Sequence, residues 1–327
     1  MSTPSARRVG ASGLLVSATG LGCNNFGRPG TPTETLAGTR AVVDAAIDAG
    51  VTLFDTADVY GARPGLSETL MGEAIQGRRD SVVLATKFGH AQMPADVPST
   101  GAKGSRGYIR RAVEASLRRL QTDWIDLYQL HTPDPQTPIA ETLDALTELV
   151  REGKVRYIGH SNLSGWQLAE ADAVARARGA ERFVSAQNQY SLLARASERE
   201  VLPAAERFGV GFLPYFPLHN GLLTGKFRRD GGPEDSRIMR QRPNVWRDAP
   251  WDALEAYQAF CDARDITMLQ ATFGWLLARP ALASVIAGAT TPEQVRTNAA
   301  ASSWTPSPDD IAEIDRLLPL PRDPAAG

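Results

Sequence analysis

Val51-Thr52-Leu53-Phe54-Asp55-Thr56-Ala57-Asp58-Val59-Tyr60 is the stretch from which the chain is best read. Val51 to Phe54 is an apolar run of the kind that forms a buried strand. An acid closes the run, and a phenol follows five positions later, so both can face one pocket. The pattern recurs: Ser81–Thr86 leads to Lys87, and Trp124–Leu130 leads to His131. An acid, a phenol, an amine and an imidazole, carried mostly on successive strand ends, can make a proton-transfer site.

Working outward, strand and helix patterns alternate almost throughout. Arg7–Val9 and Leu14–Val16 flank Gly10-Ala11-Ser12-Gly13 and read as a small hairpin. Eight strands are then expected at Thr19–Leu21, Thr52–Phe54, Val82–Ala85, Ile125–Leu130, Val155–Ile158, Phe183–Ala186, Gly211–Leu213 and Ser284–Ile286. Helical patterns lie between them at 35–49, 68–76, 105–120, 138–152, 165–178, 197–208, 251–278 (with a break near Asp265) and 292–300, and a further helix follows at 308–317. Thr137-Pro138 and Ser307-Pro308 pair an N-cap with proline at the first helical position, while Ser164 with Gln167 and Thr291 with Gln294 read as capping boxes. Eight alternating units imply an α/β fold with a parallel sheet, closed as a (β/α)8 TIM barrel with an N-terminal β-hairpin. Gly20-Leu21-Gly22-Cys23-Asn24-Asn25 lacks the G-x-G-x-x-G fingerprint, which argues against a Rossmann domain. No linker divides the chain, so residues 1–327 read as a single domain. The longest irregular stretch, Leu218 to Pro250, follows strand 7 and is expected at the catalytic face.

Composition narrows the function classes. A chain of 327 residues with 43% hydrophobic residues can build a large core, and a net charge of −2 with mixed signs offers no nucleic-acid surface. Met1 to Val9 is polar, and no apolar run has the length of a membrane helix. Cys23 and Cys261 lie far apart without metal-ligand spacing, so no metal is expected and a reducing cytoplasm is the simplest setting.

In a barrel, chemistry sits where strands meet the following loops. Those ends are polar here: Cys23 and Asn24, Asp55, Lys87, His131, Ser161 and Asn162, Gln187, Tyr215, and Gly288 to Thr291. Singly, each has an ordinary explanation, such as a helix cap or a hydrogen-bonded core histidine. Together they suit protonation of a carbonyl oxygen. A lysine cation beside Tyr60 favours the phenolate and lowers the tyrosine pKa. Asp55 can keep Lys87 charged and oriented, and His131 can donate a hydrogen bond. No side chain supplies a hydride, so a nicotinamide cofactor is required.

These residues lie in segments that resemble the aldo-keto reductases, in the bacterial branch also similar to the potassium-channel β subunits. The segments are Gly20–Gly27, Phe54–Gly61, Ala85–Lys87, Asp126–Asp134, Gly153–Asn162, Gln187–Tyr190, Tyr215–Leu218, Gly221–Lys226 and Ile286–Val295. The resemblance runs from about Arg7 to Leu318. It implies a catalytic tetrad of Asp55, Tyr60, Lys87 and His131, with Tyr60 as proton donor and His131 orienting the carbonyl. It further implies NADPH as cofactor, with NADH as the other nicotinamide nucleotide. Cys23, Asn24 and Asp55 join the cofactor-binding set. Ser161, Asn162 and Gln187 would hold the carboxamide, and Tyr215 would stack on the ring. Phe216, Pro217, Leu218 and Gly221 would pass beside the pyrophosphate. Lys226, Arg237, Gly288, Thr290, Gln294 and Asn298 would hold the adenosine end. The capped helix start at Thr291-Pro292 is itself a natural anion site.

The turn Gly288-Ala289-Thr290-Thr291 lacks the basic residue that many relatives carry, so Lys226 and Arg237 are expected to supply the charge for a 2′-phosphate. His160 reads as a packed histidine; His219 lies on a loop near the expected cofactor. Phe26, Val59, Phe88 and Trp246 are candidate walls of the substrate pocket, and residues beyond Leu318 offer no long substrate loop. The leading function is NADPH-dependent reduction of a small-molecule aldehyde or ketone, without nucleic-acid or membrane partners. The alternatives are a nucleotide-holding regulatory module like the channel β subunits and an NAD-dependent sugar or alcohol dehydrogenase. All four tetrad residues favour the enzyme. Neither the physiological substrate nor the oligomeric state is legible.

Overall fold

Each of the eight expected strands forms, with ends displaced by up to three residues. A computed structural model of the chain describes residues 6–92, 94, 96–98, 101–234 and 236–321. The hairpin is β1 (Ala6–Arg8) and β2 (Leu15–Ser17). The alternating units follow: β3 (Thr19–Gly22), α1 (Leu36–Asp48), β4 (Leu53–Asp55), α2 (Leu66–Ala74), β5 (Val83–Phe88), α3 (Arg106–Leu120), β6 (Ile125–Leu130), α4 (Ile139–Arg151), β7 (Val155–Ser161), α5 (Gly165–Arg178), β8 (Ser185–Gln187), α6 (Val201–Phe208) and β9 (Gly211–Phe212). The last part contains α7 (Arg237–Gln241), α8 (Pro243–Arg247), α9 (Trp251–Asp262), α10 (Met268–Leu277), β10 (Val285–Gly288), α11 (Pro292–Ala301) and α12 (Pro308–Leu317).

The strand order is β10-β3-β4-β5-β6-β7-β8-β9, parallel at every step. Phe212 N donates to Ala281 O at 2.7 Å and Ala283 N donates to Phe212 O at 2.9 Å, which joins β9 to the segment entering β10 and closes the ring. The strand pleat sorts side chains onto two faces. Leu21, Phe54, Leu84, Phe88, Tyr128, Leu130 and Ile158 pack outward under the helices. Leu53, Ala85, Leu127, Leu213 and Ile286 form an inner core with Val9, Leu14 and Val16 of the hairpin, which plugs the N-terminal end of the barrel. The hairpin fits because Gly10 has φ +57° and a Cβ there would lie 2.3 Å from Gly209 O.

Several local expectations change. The hydroxyl of Thr137 donates to Asp134 instead of capping α4, and the helix begins one residue late, with Pro138 at its cap. Gln294 does not close the expected box with Thr291; its side chain accepts from Thr290 N, while Thr291 caps Gln294 N. The helix expected at 197–208 begins at Val201, because Glu200 (φ −141°, ψ −52°) separates it from a 3₁₀ turn at Ala196–Glu198. The break expected near Asp265 is present: the 251–278 pattern divides there into α9 and α10, with Asp265 at φ +53°. The Leu218–Pro250 stretch is more ordered than expected: a 3₁₀ segment (His219–Thr224), α7 and α8 lie in it, around a small core of Leu222, Phe227 and Ile238. No helix among the described residues is long and apolar enough to cross a membrane.

Candidate active site

The alternation that fills the barrel with Leu53, Ala85 and Leu127 puts Asp55, Lys87, Gln129 and His131 two or four residues further along the same inner face. Lys87 is fully buried. Its ammonium donates to Asp55 Oδ2 at 2.7 Å and to Thr56 O at 2.8 Å. Gln187 and Gln129 donate to the other carboxylate oxygen of Asp55, at 3.0 and 3.3 Å. Gly159 makes room for Gln129, since a Cβ there would stand 3.1 Å from Gln129 Cγ and 2.0 Å from Ser185 Oγ. Burial opposes the charge on Lys87, but Asp55 and Tyr60 more than offset it, and the lysine pKa lies above its usual value.

Tyr60 reaches the same place from a turn, not a strand. Tyr60 N donates to Ala57 O, and Asp58 N donates to Lys87 O, which ties the turn over the end of β5. Lys87 Nζ lies 5.1 Å from the Tyr60 ring centroid. Burial raises the Tyr60 pKa, and Lys87, although it pulls the other way, does not reverse the direction. The sequence-based expectation of a net lowering is therefore corrected: desolvation outweighs the nearby cation. Tyr60 holds its proton at neutral pH.

His131 meets the Tyr60 ring edge-on at 5.9 Å. Burial, then Lys87, push its pKa down to about 2, so the imidazole is neutral. Its Nδ1 is buried without a partner. Asp58, between the two ends of the quoted stretch, is fully buried with neither oxygen hydrogen-bonded. Burial, then Glu68, raise its pKa well above the ordinary carboxylate value.

A continuous polar chain runs along the strand ends on the other side. Tyr215 Oη donates to Asn162 Oδ1 at 2.9 Å, Asn162 Nδ2 donates to Ser161 Oγ and His131 O at 3.0 Å each, and Ser161 Oγ donates to Gln187 O at 2.7 Å. Through Gln187 it ends on Asp55. Asn162, Phe216, His219 and Asn220 all have left-handed backbone, with φ between 46° and 62°. Such strain clusters at functional sites.

The remaining expected ligand residues are spread around this mouth. Thr290, Gln294 and Asn298 stand at the start of α11 and within it, and Asn298 Nδ2 donates to Gly288 O at 3.5 Å. Lys226 is exposed. Arg237 is half-buried, with its guanidinium 5.8 Å from the Phe216 ring; Arg242 lies 5.7 Å from the same ring. Burial, then Arg28 and Arg242, push the Arg237 pKa down to about 10, and its Nε has no partner. None of these three arginines makes an ion pair with a described residue. His219 Nδ1 lies 3.4 Å from Ser191 Oγ. His160 is packed edge-on to Phe183 at 5.2 Å, fully buried, its pKa pushed down to about 3 by desolvation.

Four expected residues are not at the site. Cys23 is fully buried, with its thiol on Leu21 O at 3.4 Å and its pKa raised by burial. Phe26 is fully buried in the outer core, and so is Phe88, stacked on Tyr128 at 4.7 Å. The pleat turns Cys23 and Phe88 away from the barrel interior. Trp246 packs against Trp251 at 6.3 Å and donates to Arg228 O, inside the long loop's own core. Val59, partly exposed beside Tyr60, is the one candidate wall left. Gln129 escaped the sequence reading, although period-two counting back from His131 would have found it. Arg28 and Arg242 carried no such signal.

Comparison with known proteins agrees over nearly the whole chain. Residues 19–319 match the model of the aldo/keto reductase family. The chain is 37% identical over 322 residues to the uncharacterized oxidoreductase YrpG of Bacillus subtilis, covering 96% of this chain and 95% of that protein. It is 33% identical to the probable aldo-keto reductase 1 of Glycine max, over 96% of this chain and 88% of that one. It is 32% identical to an Escherichia coli L-glyceraldehyde 3-phosphate reductase, over 95% and 92%.

Proposed function

The chain is an oxidoreductase that belongs to the aldo/keto reductase family, and from that premise we propose that it reduces an aldehyde or ketone to the alcohol with NADPH, with Tyr60 as the proton donor. One observation carries the reading. A fully buried ammonium, fixed by Asp55 at 2.7 Å and Thr56 O at 2.8 Å, lies against a phenol that keeps its proton.

The residues around the mouth fit a dinucleotide. Arg28, Arg237 and Arg242 converge without a carboxylate, beside the left-handed backbone at Phe216, His219 and Asn220. Ser161, Asn162, Gln187 and Tyr215 would hold the nicotinamide end. Pro217, Leu218 and Gly221 would lie along the phosphates. Lys226, Arg237, Gly288, Thr290, Gln294 and Asn298 would hold the adenosine end. A bound nicotinamide nucleotide supplies the hydride that no side chain can.

The protein's own part is the proton. A carbonyl oxygen bound between Tyr60 and His131 becomes more basic as it gains negative charge. Tyr60 gives it the phenolic proton, and the resulting phenolate is stabilised by the Lys87 cation, which Asp55 keeps charged. His131, neutral, can donate a hydrogen bond but is no proton source. The regulatory reading is weaker, since a pure binding module needs no buried lysine–carboxylate pair beside a phenol. The neutral turn at Gly288–Thr291 favours NADH as the second cofactor reading. Both cysteines are free and buried, in keeping with a reducing cytoplasm. The Escherichia coli relative is named for L-glyceraldehyde 3-phosphate, so short aldehydes are the first substrates to try.

Tyr60→Phe tests the proposal. It should lower kcat for aldehyde reduction by about 10²–10⁴-fold, the usual worth of a general acid, with nucleotide binding retained. Turnover near that of the wild type would remove Tyr60 from the mechanism.

A further inference from the structure

The substrate side of the site has a charge that the proton-transfer chemistry does not use. His90 packs on the catalytic imidazole, with ring centroids 4.8 Å apart and planes at 50°. His90 Nδ1 accepts from Gln92 N at 3.1 Å, which leaves the proton of the neutral ring on Nε2. Lys103 Nζ donates to Thr132 Oγ1 at 2.6 Å, and Thr132 is the residue directly after His131. Thr132 is held in turn by donation to Gly89 O at 2.9 Å.

An ammonium has three protons to donate, and Lys103 directs only one, to a neutral hydroxyl. It makes no ion pair with a described residue. The carboxylate on the neighbouring turn, Asp134, is engaged elsewhere, accepting from Gly104 N at 2.6 Å and from the Thr137 hydroxyl at 2.8 Å. The other cation of the site, Lys87, is neutralised by Asp55. Lys103 is therefore the unmatched charge beside His131. Apolar walls that would disfavour an anion here are fewer than the sequence suggested, because Phe26 and Phe88 lie in the outer core.

We propose that Lys103, with the Nε2–H of His90, binds an anionic group of the substrate, a phosphate or carboxylate carried within a few atoms of the carbonyl that Tyr60 and His131 receive. The inference rests on the carbonyl-reductase reading and adds the substrate class. A charge-assisted hydrogen bond is worth enough to change selection between otherwise similar substrates by about 10- to 100-fold.

The experiment compares kcat/KM for glyceraldehyde 3-phosphate with glyceraldehyde, and for succinic semialdehyde with butyraldehyde, using the full chain and NADPH. The expected result is an anionic-to-neutral ratio of about ten or more in at least one pair, carried mainly in KM and reduced by added salt. The phosphate pair responding alone assigns a phosphate, and the carboxylate pair alone a carboxylate. Lys103→Met should bring the ratio within about threefold of one, whereas Lys103→Arg, which keeps the charge, should retain it; thermal melts show that both variants fold. A ratio near one in both pairs, with reduction intact, overturns the inference alone, as does a ratio that survives in Lys103→Met. Failure to reduce any of the four aldehydes overturns the reductase reading and takes the inference with it.

Discussion

Replacing Lys87 with methionine separates the two parts this residue has in the site. The side chain is fully buried, so methionine fills most of its volume while removing the charge. The ammonium lies 5.1 Å from the centroid of the Tyr60 ring; with that as the charge separation and an effective dielectric of about 20, it attracts a phenolate there by about 3 kcal/mol. That equals about two pKa units on Tyr60, or about 10²-fold in rate if most of the negative charge has reached the phenol in the transition state. The direction follows from the signs: burial already raises the Tyr60 pKa, Lys87 opposes the rise, and its loss lets the pKa climb further. Stability should fall as well. Asp55 would keep only Gln129 and Gln187 as partners, and a buried charge deprived of its mate costs about 3–5 kcal/mol. Adding Asp55→Asn removes the stranded charge. The double variant should recover much of the urea midpoint without recovering turnover. The assay is kcat/KM for a small aldehyde with NADPH from pH 6 to 10.5, beside urea melts of the single and double variants. Loss of turnover below about threefold with an unmoved pH profile would refute the lysine–phenol coupling. Recovery of turnover in the double variant would show that the single substitution acted through folding.

Two further outcomes follow from the site's electrostatics. His131 is neutral down to about pH 2 and Tyr60 keeps its proton above its ordinary value of about 10, so the reduction profile should be level from pH 5 to 8; an inflection near 6.5 that disappears in His131→Gln would show the histidine titrating in turnover. Arg237 has no ion-pair partner among the described residues and an unpartnered Nε, so Arg237→Ala should weaken NADPH binding about tenfold or more relative to NADH; equal losses in a fluorescence titration, or an initial preference for NADH, would overturn the assignment of a 2′-phosphate to this arginine.

The tetrad was legible because its members obey a local rule. Asp55, Lys87 and His131 each close an apolar run, and Tyr60 follows Asp55 by one tight turn. A strand end that enters a barrel mouth is polar because only there do inward side chains leave the packed interior. The sequence by itself therefore determined the order of strands and helices, the end of the barrel at which the polar strand ends gather, and the placement of three of the four proposed catalytic side chains. Capping was legible in the same local way at Ser164–Gln167 and Ser307–Pro308, where both partners lie within one turn.

What only the tertiary structure decided is the face each residue takes and the company it keeps. Neighbours in a strand point oppositely, and a shift of one residue exchanges them. Cys23, Phe26 and Phe88 were therefore indistinguishable from site residues until strand pairing and loop packing put them in the outer core, while Gln129 came inward onto Asp55. Arg28 stands on one loop and Arg237 and Arg242 on another, and Lys103 reaches His131 through Thr132 on another strand's end. Nothing in a one-dimensional pattern records such distances. The net pKa of Tyr60 belongs here too: the cation was predictable from spacing, but the burial that outweighs it exists only once the barrel has closed.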